Sequence, residues 1–197
     1  EDVKHVAAIK AALGDSVSIR VDVNQAWDES TATKGMQSLQ SAGIDWVEQP
    51  TPTKDFASLV RLSKKFTIPI LADESINDAT DGFQLAAAGF SGSYALKIAK
   101  SAGPIGALKL ASVAQASGIG LYGGTMLEGT IGTVASLHAW STLEKLHVGT
   151  EMFGPLLMKD DIVVNPLNYS NFGVEIPTTP GLGVEIDEDK LAFYRRK

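Results

Sequence analysis

"IPILADES", residues 68–75, decides how the rest of the chain is read. Ile70, Leu71 and Ala72 form a short apolar run of the kind a parallel sheet buries on both faces. The run closes on two adjacent carboxylates, Asp73 and Glu74. A charge buried without a partner is costly, so a cation is expected at the end of this strand. Outward from it the same pattern recurs. "SIRVDV" (18–23), "IDWVE" (44–48), "IPILAD" (68–73), "YALKI" (94–98), "IGLYG" (119–123) and "LHVGTE" (146–151) are the expected strands. Amphipathic helical stretches lie between them, and Gly14, Gly43, Gly89 and Gly118 stand where a left-handed helix cap is needed. Strands alternating with helices imply right-handed βαβ units and a parallel sheet, either open and doubly wound or closed as a (β/α)8 barrel. No GxGxxG or P-loop follows the first strand, which disfavours the nucleotide-binding open sheet.

Composition narrows the function classes. The 197 residues are 44% hydrophobic and 20% charged, ordinary for a globular protein. A net charge of -6 and a pI near 5.0 argue against binding nucleic acid through a basic surface. Cysteine is absent, which removes disulfides, thiolate metal sites and cysteine nucleophiles, and fits a reducing, cytoplasmic setting. No apolar run is long enough to span a bilayer, so no membrane partner is expected. Residues 1–152 read as βα units. Residues 153–197 hold four of the eight prolines and read as a wrapping segment with short strands at "GVEIP" and "GVEID".

The strand ends carry the chemistry. Asp22 closes the first strand, Glu48 follows 26 residues later, and Asp73 follows 25 after that. Each interval is one βα period, so three successive strands present a carboxylate at the C-terminal end, where barrels build their sites. Such a cluster needs a cation, and oxygen ligands without Cys or His select Mg²⁺ or Mn²⁺ over Zn²⁺. Asn24 and Glu74 are placed as supports for these ligands. Lys97 ends the fourth strand 24 residues after Asp73, suited to acid/base work on an anionic substrate, and Glu151 adds a carboxylate at the last expected strand.

Each residue also has a blander reading. A lone Asp at a strand end is more often a helix N-cap or turn residue, Lys100 and Glu74 fit a solvated rim or a supporting salt bridge, and Trp27 more naturally covers a strand end than a substrate. His138 reads as a helix-packing residue, His5 as a surface one and His147 as core or rim. The joint spacing of three acids and a lysine is what tips the balance towards a site.

"DVNQAW", "WVEQP", "LADES", "LKIAKSAG", "YGGTMLEG" and "GTEMFGPLL", in this order, resemble the enolase superfamily, and within it the muconate and chloromuconate cycloisomerases. The resemblance implies a (β/α)7β barrel with Asp22, Glu48 and Asp73 holding Mn²⁺ or Mg²⁺, and Lys97 and Glu151 as catalytic groups. It implies cycloisomerisation of a small dicarboxylate, cis,cis-muconate or a chlorinated relative, to a muconolactone in aromatic degradation, by a homo-oligomer. A dipeptide epimerase or o-succinylbenzoate synthase of the same subgroup shares the triad. A non-catalytic barrel fragment and a Schiff-base aldolase using Lys97 are the alternatives of other kinds. The family's Lys-x-Lys strand and capping domain have no counterpart in these residues. With six barrel strands against eight, the chain is expected to be partial. In "KSAG", Ala102 stands where many relatives carry glycine.

Overall fold

The computed structural model describes residues 1–196. The chain divides into two compact units. One comprises Glu1–Ala95 with Leu110–Gly120, the other Leu96–Lys109 with Leu121–Lys197.

In the first unit, α1 (Asp2–Leu13) precedes three βα steps and a fourth strand: β1 (Arg20–Asp22), α2 (Glu29–Ser41), β2 (Trp46–Glu48), α3 (Phe56–Lys65), β3 (Ile70–Ala72), α4 (Ala79–Ala87) and β4 (Gly92–Leu96). The strands are parallel and pair in sequence order. Val21 lies opposite Val47, Val47 opposite Ile70, and Ile70 opposite Gly92. α2, α3 and α4 each start on an aspartate whose carboxylate accepts from amides of the first turn: Asp28 from Thr31, Asp55 from Ser58, and Asp78 from Thr80 and Asp81. The glycines expected to close helices, Gly14, Gly43, Gly89 and Gly118, all have φ between 69° and 83°.

The apolar faces of α2, α3 and α4 supply Met36, Leu39, Leu59, Leu62 and Leu85, and the strands supply Val47, Ile70 and Leu71, all buried. Full burial of each such side chain contributes about 1.5–3 kcal/mol before conformational entropy is subtracted. Tyr94 in β4 is fully buried, and its hydroxyl donates to the Gly82 carbonyl of α4 at 2.7 Å. Burial pushes its phenol well above the usual range. On the outer side, Arg61 of α3 grips Glu29 of α2 with both carboxylate oxygens engaged, at 2.8 and 2.7 Å.

The second unit takes the end of β4, the first half of α5 (Pro104–Ala116), most of β5 (Gly120–Gly123), α6 (Thr130–Trp140), α7 (Gly154–Leu157) and α8 (Glu188–Tyr194). The strand expected at 146–151 is reduced to one parallel bridge, Gly123 to Thr150. Val148 still donates to Leu121, but Gly149 turns left-handed at φ 84°, and its amide folds back to Leu146. The two "GVEI" stretches also shrink. Gly173–Val174 (β7) pairs antiparallel with Tyr169–Ser170 (β6), and Ile186 makes a single bridge to Val163. Pro177, Pro180 and left-handed Gly181 and Gly183 prevent longer pairing. No helix among the described residues is long and apolar enough to cross a membrane.

Candidate active site

Asp22 and Glu48 are direct partners in the β1–β2 register, and Glu48 lies opposite Leu71 in β3. Asp73 lies one residue past the end of β3 and follows Leu71 by two, so extending the strand's alternation by that residue sets all three carboxylates towards one face. They are not surplus caps, because Asp28, Asp55 and Asp78 already cap the helices that follow. The cap reading of an isolated strand-end acid therefore belongs to these other aspartates.

Burial deepens along the series: Asp22 is exposed, Glu48 half-buried, and Asp73 buried. Asp22 is turned towards Asn24, whose backbone amide and side-chain amide donate to its two oxygens at 2.9 and 2.7 Å. Glu74 does not join the row. Its Oε1 accepts from Gln25 Nε2 at 3.1 Å, and its Oε2 is buried without a hydrogen bond. Among the described residues, no group of three or more His, Asp or Glu side chains is gathered closely enough to hold a metal ion as it stands. The donor set nonetheless fits a hard divalent cation in kind: three carboxylates on one sheet face, with no nitrogen or sulfur donor among them. Asp22, Glu48 and Asp73 are the residues that would hold it.

The loops leaving these strands are unusually bent. Asn24, Gln25 and Gln49 all have positive φ, at 47°, 65° and 32°. Their backbones are tied across the sheet, with Gln25 N donating to Gln49 O at 2.8 Å and Gln49 N to Leu71 O at 2.9 Å. Trp27 continues this path by donating from its amide to Pro50, while its ring lies against Gly35 of α2. The ring therefore packs on a helix, where the blander reading expected it to cover a strand end. Gly35 leaves the space, since a Cβ there would stand 2.6 Å from the indole ring.

In the second unit, Lys97 is buried and its stem lies along Gly124, where a Cβ would come within 2.9 Å of the lysine Cε. The Gly124 amide donates to Leu96 at 2.9 Å, so "YGG" is the backbone platform on which this lysine rests. Lys100 lies half-buried on the turn that follows. Ala102 in that turn adopts φ 55°, a conformation glycine takes without penalty. Glu151 is half-buried and lines a pocket of about 530 Å³ with Met152, Phe153, Tyr169 and Phe172. Tyr169 donates to the Met152 carbonyl at 2.6 Å, and burial raises its phenol above the usual range. Glu128 is a residue that spacing along the chain does not single out. Its Oε2 accepts from Thr125 Oγ1 and the Met126 amide, while Oε1 is buried without a partner. Its only trace in the sequence is that it follows "GGT" in a loop.

The family described as "Enolase C-terminal domain-like" matches residues 1–190. The chain belongs to this family. Among curated members, muconate cycloisomerase 1 of Pseudomonas putida is 53% identical over 197 residues, covering 100% of this chain and 52% of the relative. A chloromuconate cycloisomerase of Cupriavidus necator is 42% identical over 196 residues, covering 100% of this chain and 53% of the relative. Among solved structures, the muconate lactonizing enzyme of Klebsiella pneumoniae superposes with a TM-score of 0.97 at 63% identity, over 100% of this chain and 55% of that one. The Pseudomonas fluorescens muconate lactonizing enzyme, solved in complex with muconolactone, superposes at 0.96 with 53% identity, over 99% of this chain and 53% of that one. The chain therefore has the fold of the enolase C-terminal barrel in part, and spans about half the length of the relatives it matches.

Proposed function

We propose that the protein to which this chain belongs is a muconate or chloromuconate cycloisomerase, closing cis,cis-muconate or a chlorinated relative to a muconolactone. The observation that carries the reading is the carboxylate row of Asp22, Glu48 and Asp73 on one sheet face, in a chain 53% identical to a muconate cycloisomerase.

In this reading Asp22, Glu48 and Asp73 hold Mn²⁺ or Mg²⁺. The bound cation supplies Lewis-acid stabilisation of negative charge developing on a substrate carboxylate. Asn24 orients Asp22 through its two hydrogen bonds, and Glu74 buttresses the loop after β3 from Gln25. Lys97 supplies a buried cation suited to an anionic substrate and to proton handling at the carbon beside the carboxylate. Glu151 contributes a carboxylate at the edge of a largely apolar pocket.

A Mn²⁺ titration by calorimetry, comparing this chain with Asp73→Asn, tests the metal reading. Binding in the parent that weakens at least tenfold in the variant is expected, and equal affinity in the two would overturn the assignment of Asp73. Turnover is tested at the relatives' full length, by following loss of the conjugated-diene absorbance of cis,cis-muconate. Dipeptides and the o-succinylbenzoate precursor run alongside, and preference for either of these would overturn the proposed substrate class.

A further inference from the structure

We infer that Gln49 is a positioning residue: its side chain fixes the backbone at Asp73 relative to β2 and so sets the spacing of the Glu48 and Asp73 carboxylates. The inference rests on the metal reading above and assigns a role to a residue that is not itself a ligand.

Gln49 follows Glu48 directly and is fully buried. A primary amide has two donor hydrogens and an oxygen able to accept twice. All four capacities are used here. Its Oε1 accepts from the amides of Asp73 at 3.0 Å and Ser75 at 3.2 Å. Its Nε2 donates to the Thr51 carbonyl at 2.9 Å and to Ser75 Oγ at 2.7 Å. The backbone of the same residue donates to Leu71 O and accepts from Gln25 N. One residue thus ties together the loops that leave β1, β2 and β3.

Chemistry restricts what could replace it. Glutamate would keep the acceptors but lose both donors and bring a charge beside Asp73. Leucine would fill the space and leave the two amides and the Thr51 carbonyl without their partner. Asparagine is one methylene too short to span from β2 to the loop after β3. The φ of 32° at Gln49 is unfavourable for a residue with a Cβ, and it persists because these hydrogen bonds over-determine it. Gln25 repeats the device one strand earlier, accepting from the Thr53 amide at 3.2 Å and donating to Glu74.

The test is a calorimetric Mn²⁺ titration of the full chain in four forms: parent, Gln49→Leu, Ser75→Ala and Leu59→Ala. The last is a core truncation away from the loops, which lowers stability without touching the hydrogen bonds. Gln49→Leu is expected to weaken Mn²⁺ binding by about tenfold or more, with faster hydrogen exchange at the amides of Asp73 and Ser75. Ser75→Ala, which removes one of the four partners and leaves the core intact, is expected to weaken binding by about two- to fivefold. It carries the test if Gln49→Leu does not fold. Leu59→Ala is expected to lower the melting temperature while the folded protein binds Mn²⁺ as the parent does. Parent-like affinity in both Gln49→Leu and Ser75→Ala overturns the role of Gln49 alone, as does equal weakening in Leu59→Ala. A parent that binds no Mn²⁺ overturns the metal reading and this inference with it.

Discussion

Gly106→Ala sets two rules of thumb against each other. Gly106 lies in the first turns of α5, where alanine is favoured over glycine by up to about 1 kcal/mol. Propensity alone therefore predicts a stabilised protein. The structure predicts the reverse. A Cβ at this position would stand 2.9 Å from the Ser101 carbonyl carbon and closer still to its oxygen, against an ordinary carbon–carbon contact of about 3.5–4.0 Å. The obstacle is backbone rather than the tip of a flexible side chain, and Ser101 is itself buried. Its amide is bonded back to Lys97 and the Gly103 amide to Ile98, so the turn has little room to yield. Overpacking of this kind costs about 1–3 kcal/mol or more. At the upper end of that range, which a backbone obstacle implies, a net loss of about 2 kcal/mol remains after the propensity gain and lowers the melting temperature of a domain this size by about 4–8 °C. Differential scanning calorimetry of the two proteins reads this directly. A variant melting at or above the parent would show that the turn bearing Lys97 relaxes freely, and the reasoning would be wrong.

The same turn gives a prediction of opposite sign: Ala102→Gly should stabilise by up to about 1 kcal/mol, because φ 55° burdens alanine and not glycine. Urea unfolding should show a midpoint at or above the parent's, and a clear fall would refute it. The Arg61–Glu29 pair makes stability depend on pH. Hydrogen bonding to Arg61, with help from Ser58, lowers the Glu29 carboxyl from 4.5 to about 2. A carboxylate depressed on folding contributes stability that is fully present above its unfolded value and is lost as pH falls through the folded one. Arg61→Met should therefore lower the urea midpoint at neutral pH, and its difference from the parent should shrink between about pH 4.5 and about 2. A difference constant across that window would count against the pair.

The sequence made the first four strands and their helices legible because each apolar run is short, buried and punctuated by a glycine or an aspartate with one task. Val47, Ile70 and Leu71 read as interior strand residues and are, and Gly43 and Gly89 end their helices as their positions imply. The outcome at 146–151 differs because a single left-handed glycine, Gly149, cuts the run, and hydrophobic alternation carries no information about the sign of φ. Site residues divide in the same way. The proposed ligands Asp22, Glu48 and Asp73 stand out by their βα spacing alone. Gln49 does not, since its importance lies in what it reaches 24 to 26 residues away, at Asp73 and Ser75. Only strand register brings those atoms within hydrogen-bond distance. Glu128 is hidden for a related reason: burial of one oxygen atom leaves no periodic mark on the chain.

The division into two compact units places the three tryptophans unequally. Trp27 and Trp46 are half-buried in the first, while Trp140 lies in the second, buried with its indole N–H unbonded. An indole held dry and without a hydrogen-bond partner emits at shorter wavelength than one reached by water. Trp140 therefore gives the half of the chain that carries Lys97 and Glu151 its own colour. Trp46, two residues from Glu48, gives the carboxylate half another. Replacing Trp140 by phenylalanine leaves emission from the first half alone, and replacing Trp27 and Trp46 together leaves emission from the second, so the two variants show whether the halves lose their structure together or in succession.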